Sequence, residues 1–363
     1  MLNKQYVLES HPNRDIIKAL SLEKVAVNRY SVGDSFVLKI VFSINGETIY
    51  VMTHEEEHAR ITAWDSSSGE LKAERKNVSF SDIEDSVCSH LVALREGVLF
   101  TTSKRTAELW NPDLTERIRY CVYPENITGI FPISDERVVF NLLGMNAIIF
   151  DTSKTDQVSI PLFGMQLLAC NSKSQVVTFS GDHIQMWNGD TLFWKREWPR
   201  TILGPAIVRF SPSEEFLVVW AGLDSEEVYV HDPTSGKLLR IFETAGDVCE
   251  CTFVGDADCV ILTFLPLGDA WCLRLFNIRS GDLLSLIDLE TWWSGLIESH
   301  PEKGLIASAL QNYKTTKLQN SEDLFKVIQT RLSGYNRDSQ RSLRSVITYK
   351  CGSDLVTDFL YIF

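Results

Sequence analysis

The sequence of 363 residues has no basic tract, no pair of cysteines in a CxxC spacing and no long hydrophobic run. Each absence removes a class of function. With 35 Lys and Arg against 48 Asp and Glu, the formal net charge is −13. That disfavours phosphate backbones and anionic membrane surfaces, and it suits a basic protein partner. The longest uncharged apolar run, Cys259–Gly268, is about half of what a membrane span needs. The opening residues, MLNKQYVLESHPNRD, hold no apolar h-region, so the expectation is a cytoplasmic or nuclear protein without a secretory signal. Without export, the triplets Asn77-Val-Ser and Asn126-Ile-Thr carry no glycan. The eight cysteines fall mostly inside apolar runs and are expected as buried, reduced thiols. Neither a glycine-rich phosphate loop nor a GxSxG elbow is present.

What the chain does have is repetition. In EVYVHDPTSGKLLRIF (Glu227–Phe242) an alternating run ends at His231, a turn follows, and a second apolar run begins at Leu238. The same pattern occurs in ITAWDSSSGELKAER around Trp64 and in LRLFNIRSGDLLSLI around Phe276. In all three, Gly stands four residues after the Asp or Asn and Leu stands six after it. Asp or Asn folds its side chain onto its own turn, and Gly supplies the positive φ that closes a hairpin. Placing the remaining units gives markers at Trp64, Trp110, Phe150, Trp187, His231, Phe276 and Leu318, at intervals of 46, 40, 37, 44, 45 and 42 residues. A second hairpin precedes most markers: Phe42 lies 22 residues before Trp64, and Phe210 lies 21 before His231. Two hairpins per period make four strands, and the period is that of a propeller blade, about 40–45 residues.

The expected fold is therefore all-β: a β-propeller of four-stranded antiparallel blades, one domain over residues 1–363. Residues 1–20 and 345–363 are expected to form a closing blade, two strands from each end, which removes the open edges of the ring. This count favours eight blades, with seven as the alternative. Leu22–Asp34 and Leu332–Ser342 read as connectors.

The Trp64-Asp65 pair, LWNPD at Leu109–Asp113 and MWNGD at Met186–Asp190 resemble divergent WD repeats over nearly the whole chain. The fourth unit keeps Thr178, Asp182 and Trp187 in the order of that family's buried hydrogen-bond network, whereas its Gly-His dipeptide is absent throughout. The resemblance implies a non-catalytic scaffold or sensor module that holds a protein partner at a rim or in the central channel, with no cofactor, nucleic acid or membrane.

Two motifs favour chemistry instead. His54-Glu55-Glu56-Glu57-His58 is a literal HExxH, which on a helix would set both histidines on one face for a zinc-dependent hydrolase. Here strand-like runs flank it on both sides, so the expected form is an acidic loop. The turn signature Asp-x-x-x-Gly-x-Leu also resembles repeats of quinoprotein dehydrogenases, implying pyrroloquinoline quinone and Ca²⁺. The vicinal cysteines that often mark that site are lacking. The nine Trp and nineteen Phe follow the blade period, so they read as core. Trp292-Trp293 is the exception, because adjacent indoles in a connection point apart and one is left for a partner. Together with Glu55, Glu56 and Glu57 these are the candidate partner-binding residues.

Overall fold

The structure is a computed structural model. It describes residues 21–23, 29–31, 36–55, 58–79, 90–143, 146–154, 157–162, 165–180, 182–198, 206–221, 225–244, 246–265, 270–289, 296–300, 305–310, 331–333 and 359–362. Among them every regular element is a strand. Two short strands come first, β1 (Ser21–Glu23) and β2 (Arg29–Ser31). The first blade then runs β3 (Phe36–Phe42), β4 (Thr48–Glu55), β5 (His58–Asp65) and β6 (Leu71–Ser79). The second is β7 (Leu91–Leu94), β8 (Gly97–Ser103), β9 (Thr106–Trp110) and β10 (Arg117–Val122). The third is β11 (Ile127–Ser134), β12 (Arg137–Leu142), β13 (Asn146–Asp151) and β14 (Val158–Pro161). The fourth is β15 (Gln166–Cys170), β16 (Gln175–Ser180), β17 (His183–Asn188) and β18 (Thr191–Glu197). The fifth is β19 (Ile207–Phe210), β20 (Leu217–Trp220), β21 (Glu227–His231) and β22 (Leu238–Glu243). The sixth is β23 (Asp247–Phe253), β24 (Asp258–Leu265), β25 (Ala270–Asn277) and β26 (Leu283–Leu289). Last come β27 (Ile297–His300), β28 (Leu305–Leu310), β29 (Arg331–Ser333) and β30 (Phe359–Ile362).

Each blade is an antiparallel meander in chain order. A further four-stranded sheet is a composite, ordered β27-β28-β30-β2, so both ends of the described chain meet in it. First strands touch first strands around a ring: β3 to β7, β7 to β11, β11 to β15, β15 to β19, β23 to β27, and β27 back to β3. Among the described residues, the expected eight blades, and the alternative of seven, are corrected to six blades of continuous chain, with the composite sheet filling the sector between the sixth and the first. The physical reason is economy of edges: β27 and β28 already supply half a sheet, and the chain ends complete it instead of making another. Residues 1–20 and 345–358 of the expected closing blade lie outside the described residues. Two expected connectors contain strands, since β1 pairs β29 and β2 pairs β30.

Burial follows radius. Middle strands are apolar on both faces because a neighbouring sheet covers each one; β20 is buried at all four positions. Outermost strands bury little, as in β18, where Trp194 alone is buried. The core is accordingly a set of wedges between adjacent blades rather than one central mass. A blade without its neighbours would lose both walls, so the ring holds together as a unit.

The turn after each marker behaves as its sequence dictates. Asp65 Oδ1 accepts from Ser67 N at 2.9 Å and Ser68 N at 2.8 Å. Asp232 Oδ1 accepts from Thr234 N at 2.8 Å, and Asn277 Oδ1 from Ser280 N at 2.9 Å. Gly69, Gly236 and Gly281 have φ of 78°, 66° and 84°. The strand pairing also shifts register at Trp64, Trp187, His231 and Phe276, so a bulge marks the aromatic slot in four blades.

Candidate interaction site at a seam between blades

The HExxH motif straddles a hairpin. β4 runs through Glu55 and β5 starts at His58, with His54 opposite Ala59 and Glu55 opposite His58. Side chains alternate along a strand and directly paired residues share a face. His54 and His58 therefore project from opposite faces of the sheet, and the zinc-hydrolase alternative loses its ligand pair. Glu56, Glu57, Trp292 and Trp293 lie outside the described residues, as does the side chain of Glu55.

The marker residues do more than fill space. Trp64 Nε1 donates to Thr62 Oγ1 at 2.8 Å, Trp110 Nε1 to Glu108 Oε2 at 2.7 Å, and Trp187 Nε1 to Thr178 Oγ1 at 3.1 Å. The fourth blade thus joins two of its three expected network members, while Asp182 instead pairs with His183. Three marker turns also receive an arginine from the preceding blade. Arg119 donates to Asp151 O, Thr152 O and Lys154 O at 2.6–3.1 Å. Arg196 donates to Gly236 O at 3.0 Å and Ser235 O at 2.8 Å, and Arg240 to Ile278 O at 2.7 Å and to Arg279 O. Arg75 lies 3.5 Å over the Trp110 ring. Sequence reasoning missed these latches. The signal was present: Arg119, Arg196 and Arg240 each stand nine residues after a marker.

In the fifth blade the marker is His231, and an imidazole is smaller than the indoles of Trp64, Trp110 and Trp187. The shortfall is a cleft of about 190 Å³ at the seam between the fourth and fifth blades. Trp194 and Trp198 wall it from the fourth blade, and Leu217, Val219, Tyr229 and His231 from the fifth. Trp198 meets Tyr229 edge to face with centroids 5.3 Å apart. The polar groups at this seam are mostly engaged: Trp194 Nε1 donates to Pro233 O at 2.7 Å, the Tyr229 hydroxyl to Glu227, and Arg196 to its two turn carbonyls. His231 Nδ1 sits 3.2 Å from Gly236 O. Burial pushes the His231 pKa down and the nearby Arg196 charge adds to this, against the bond to Gly236 O. The ring is neutral at neutral pH; its Nδ1–H is donated, and Nε2 keeps a free lone pair. Among its lining residues Leu238 is more than 40% exposed, and Leu192 and Phe193 on the neighbouring β18 are exposed to a similar degree.

The central channel holds a second polar group. From β19, Arg209 donates to Thr252 Oγ1 at 2.9 Å and pairs with Glu298 at 3.5 Å and Glu250 at 3.8 Å. Thr252 Oγ1 lies 2.6 Å from Ser299 Oγ, which donates to Phe253 O at 2.5 Å. Burial raises the Glu250 pKa, against the pull of Arg209 and Lys39. Burial, with the Lys39 charge, lowers that of His90 to about 4. This cluster joins the fifth blade, the sixth blade and the composite sheet, and works as a fastening.

No sequence-family model and no curated protein sequence matches the chain. Solved structures do match, and they are WD-repeat β-propeller proteins. The Raptor structure of Chaetomium thermophilum aligns at TM-score 0.62 and 13% identity, over 83% of this chain and 29% of that one. The β-propeller domain of Cps50 (Swd1) from Myceliophteria thermophila aligns at 0.59 and 14%, over 79% of this chain and 95% of that one. A chain of the mitotic checkpoint complex aligns at 0.55 and 9%, over 80% and 90%. At these identities the likeness is one of fold.

Proposed function

We propose that this chain is a non-catalytic protein-interaction scaffold of the WD-repeat type, acting in the cytoplasm or nucleus, with its circumference across the fourth and fifth blades as a docking surface. One observation carries the reading. Apolar side chains left in water concentrate on the outermost strands: Ile118, Tyr120 and Val122 on β10, Leu192 and Phe193 on β18, and Leu238, Leu239 and Ile241 on β22. Grouped exposed apolar side chains on a folded ring mark a place where another protein sits. The mitotic checkpoint neighbour, a propeller within a complex, supports the reading at the level of fold. The acidic residues Glu55–Glu57 and the pair Trp292-Trp293 are proposed as a second contact. The test is a photo-crosslinking side chain placed at Phe193 or Ile241, with Glu47 on the first blade as the reference position. A discrete partner trapped from the outer strands, and lost in a Leu192→Asp/Phe193→Asp ring that still melts cooperatively, is expected. Equal trapping at Glu47, or none from any outer strand of an intact ring, would defeat the proposal.

A further inference from the structure

The cleft beside His231 is shaped for one kind of guest, and the rest of the ring shows what that guest is. In the first, second and fourth blades the marker slot is occupied by an indole whose N–H donates to an oxygen acceptor, Thr62, Glu108 or Thr178. In the fifth blade the slot is short of a ring, and the residue at its base offers an acceptor instead of a donor. We infer that this cleft is a binding site for the indole of a tryptophan side chain presented by a partner protein, the ring lying between Trp194, Trp198 and Tyr229 and its N–H donating to His231 Nε2. The inference rests on the scaffold reading and names what that scaffold grips.

Size supports it. A cavity of about 150 Å³ lined by aliphatic and aromatic side chains takes up benzene, and this one is about 190 Å³. Wall chemistry agrees: aromatic rings give edge and face contacts to a guest ring, and the leucine and valine of β20 form an apolar floor. Polarity selects among rings. Trp194 Nε1, the Tyr229 hydroxyl and the Arg196 guanidinium are already bonded, and Trp198 Nε1 is a buried donor without a hydrogen-bond partner among the described residues. His231 Nε2 has no partner among the described residues. A ring with one donor satisfies it, whereas a purely hydrocarbon ring leaves it bare. The exposed Leu238, which lines the cleft, would cover part of the chain that carries the indole. A partner that buries one aromatic anchor within an apolar surround has the usual energetic layout of an interface.

The experiment uses the intact chain and N-acetyl-fluorotryptophanamide, followed by fluorine NMR, with fluoroindole and fluorobenzene as companions. The amide should bind the native ring and fail to bind His231→Trp, in which the chain's own indole fills the slot. His231→Trp should also melt a few degrees higher, because a void is filled. His231→Leu keeps the apolar cleft without its acceptor, so it should bind the amide about tenfold more weakly while fluorobenzene binding stays unchanged. If His231→Trp does not fold, His231→Phe serves as the filling variant. The inference falls if the native ring ignores the amide, or if filling the slot leaves binding intact. It falls equally if His231→Leu binds the amide like the native ring. Binding of fluoroindole with exclusion of the amide would assign the cleft to a free small molecule and also overturn it. A ring that takes no amide yet still traps a partner at Phe193 loses this inference alone; one that takes the amide but traps nothing loses the scaffold reading.

Discussion

Arg240 reaches from β22 across a seam and donates to the carbonyls of Ile278 and Arg279. It also presses on the turn glycine: a Cβ built on Gly281 would stand 2.6 Å from Arg240 Nη1. Gly281 therefore serves twice, through its φ of 84° and through the room it leaves. Arg240→Ala should lower stability by about 2 kcal/mol, and Arg240→Lys should not restore it, since an ammonium cannot span both carbonyls. Gly281→Ala should cost at least as much, from backbone strain and a displaced latch together; urea unfolding of the three variants checks both statements. The turn half of this arrangement was legible in the sequence, because Asp-x-x-x-Gly is a local rule acting within five residues. The arginine half was not, since it acts on the neighbouring blade and only a comparison of marker offsets exposes it. Acid should reveal the turns as well. Hydrogen bonds from Ser67, with Lys72 and Ser68, hold the Asp65 carboxyl well below the usual carboxylate range. A depressed carboxyl contributes stability above its unfolded pKa and loses it as pH falls. The advantage of the native ring over Asp65→Ala in melting temperature should thus begin to shrink below about pH 4 and keep narrowing as the buffer is acidified further.

The strand that closes the ring is β30, which pairs β28 on one side and β2 on the other. Its four residues stand between two strands from distant parts of the chain, so removing them bares the edge of β28 and releases β2. Deleting residues 359–363 should drop the melting temperature by several degrees and promote aggregation through the bared edge. Leu360→Pro, which removes one ladder donor opposite Ala309 and Tyr30, should reproduce part of that loss. An unchanged melt for both would show that the ring does not need this strand. The periodicity made the hairpins legible, because those follow from local turns; the composite sheet instead draws β2 from a stretch that reads as a connector. Periodicity did not fix the blade count. Counting markers cannot show whether β27 and β28 take their partners from the next repeat or from the chain ends, and that choice is made by long-range pairing. The candidate site was half-legible: His231 stood out in an aromatic slot, but a histidine in a sequence does not announce a void.

A closed wheel is only as firm as its last joint, and here that joint is electrostatic. β19, β23 and β27 come from the fifth blade, the sixth blade and the composite sheet, and Arg209 on β19 reaches side chains of both other strands at once. Its carboxylate partners are partly shielded by the channel, and burial raises the Glu250 pKa even with Arg209 in place. Arg209→Met would leave Glu250 and Glu298 facing each other without their nearest cation. Such a loss should cost about 2 kcal/mol near neutral pH, because uncompensated shielded charge is dearer than the pair is favourable. The pH dependence has a definite sign. A carboxyl whose folded pKa is raised is favourable to the fold below its unfolded pKa and becomes unfavourable as pH rises through the folded value. Removing Arg209 lifts that folded value further, so the deficit of Arg209→Met should be largest near pH 8 and shrink as the buffer is brought to about pH 5. Arg209→Met combined with Glu250→Gln and Glu298→Gln should recover most of the loss at every pH, because no charge is then stranded. Melting curves of the native, single and triple rings across that range decide it. A deficit independent of pH, or a triple variant no better than the single, would mean that Arg209 acts by packing alone and that the wheel is held shut by its apolar seams.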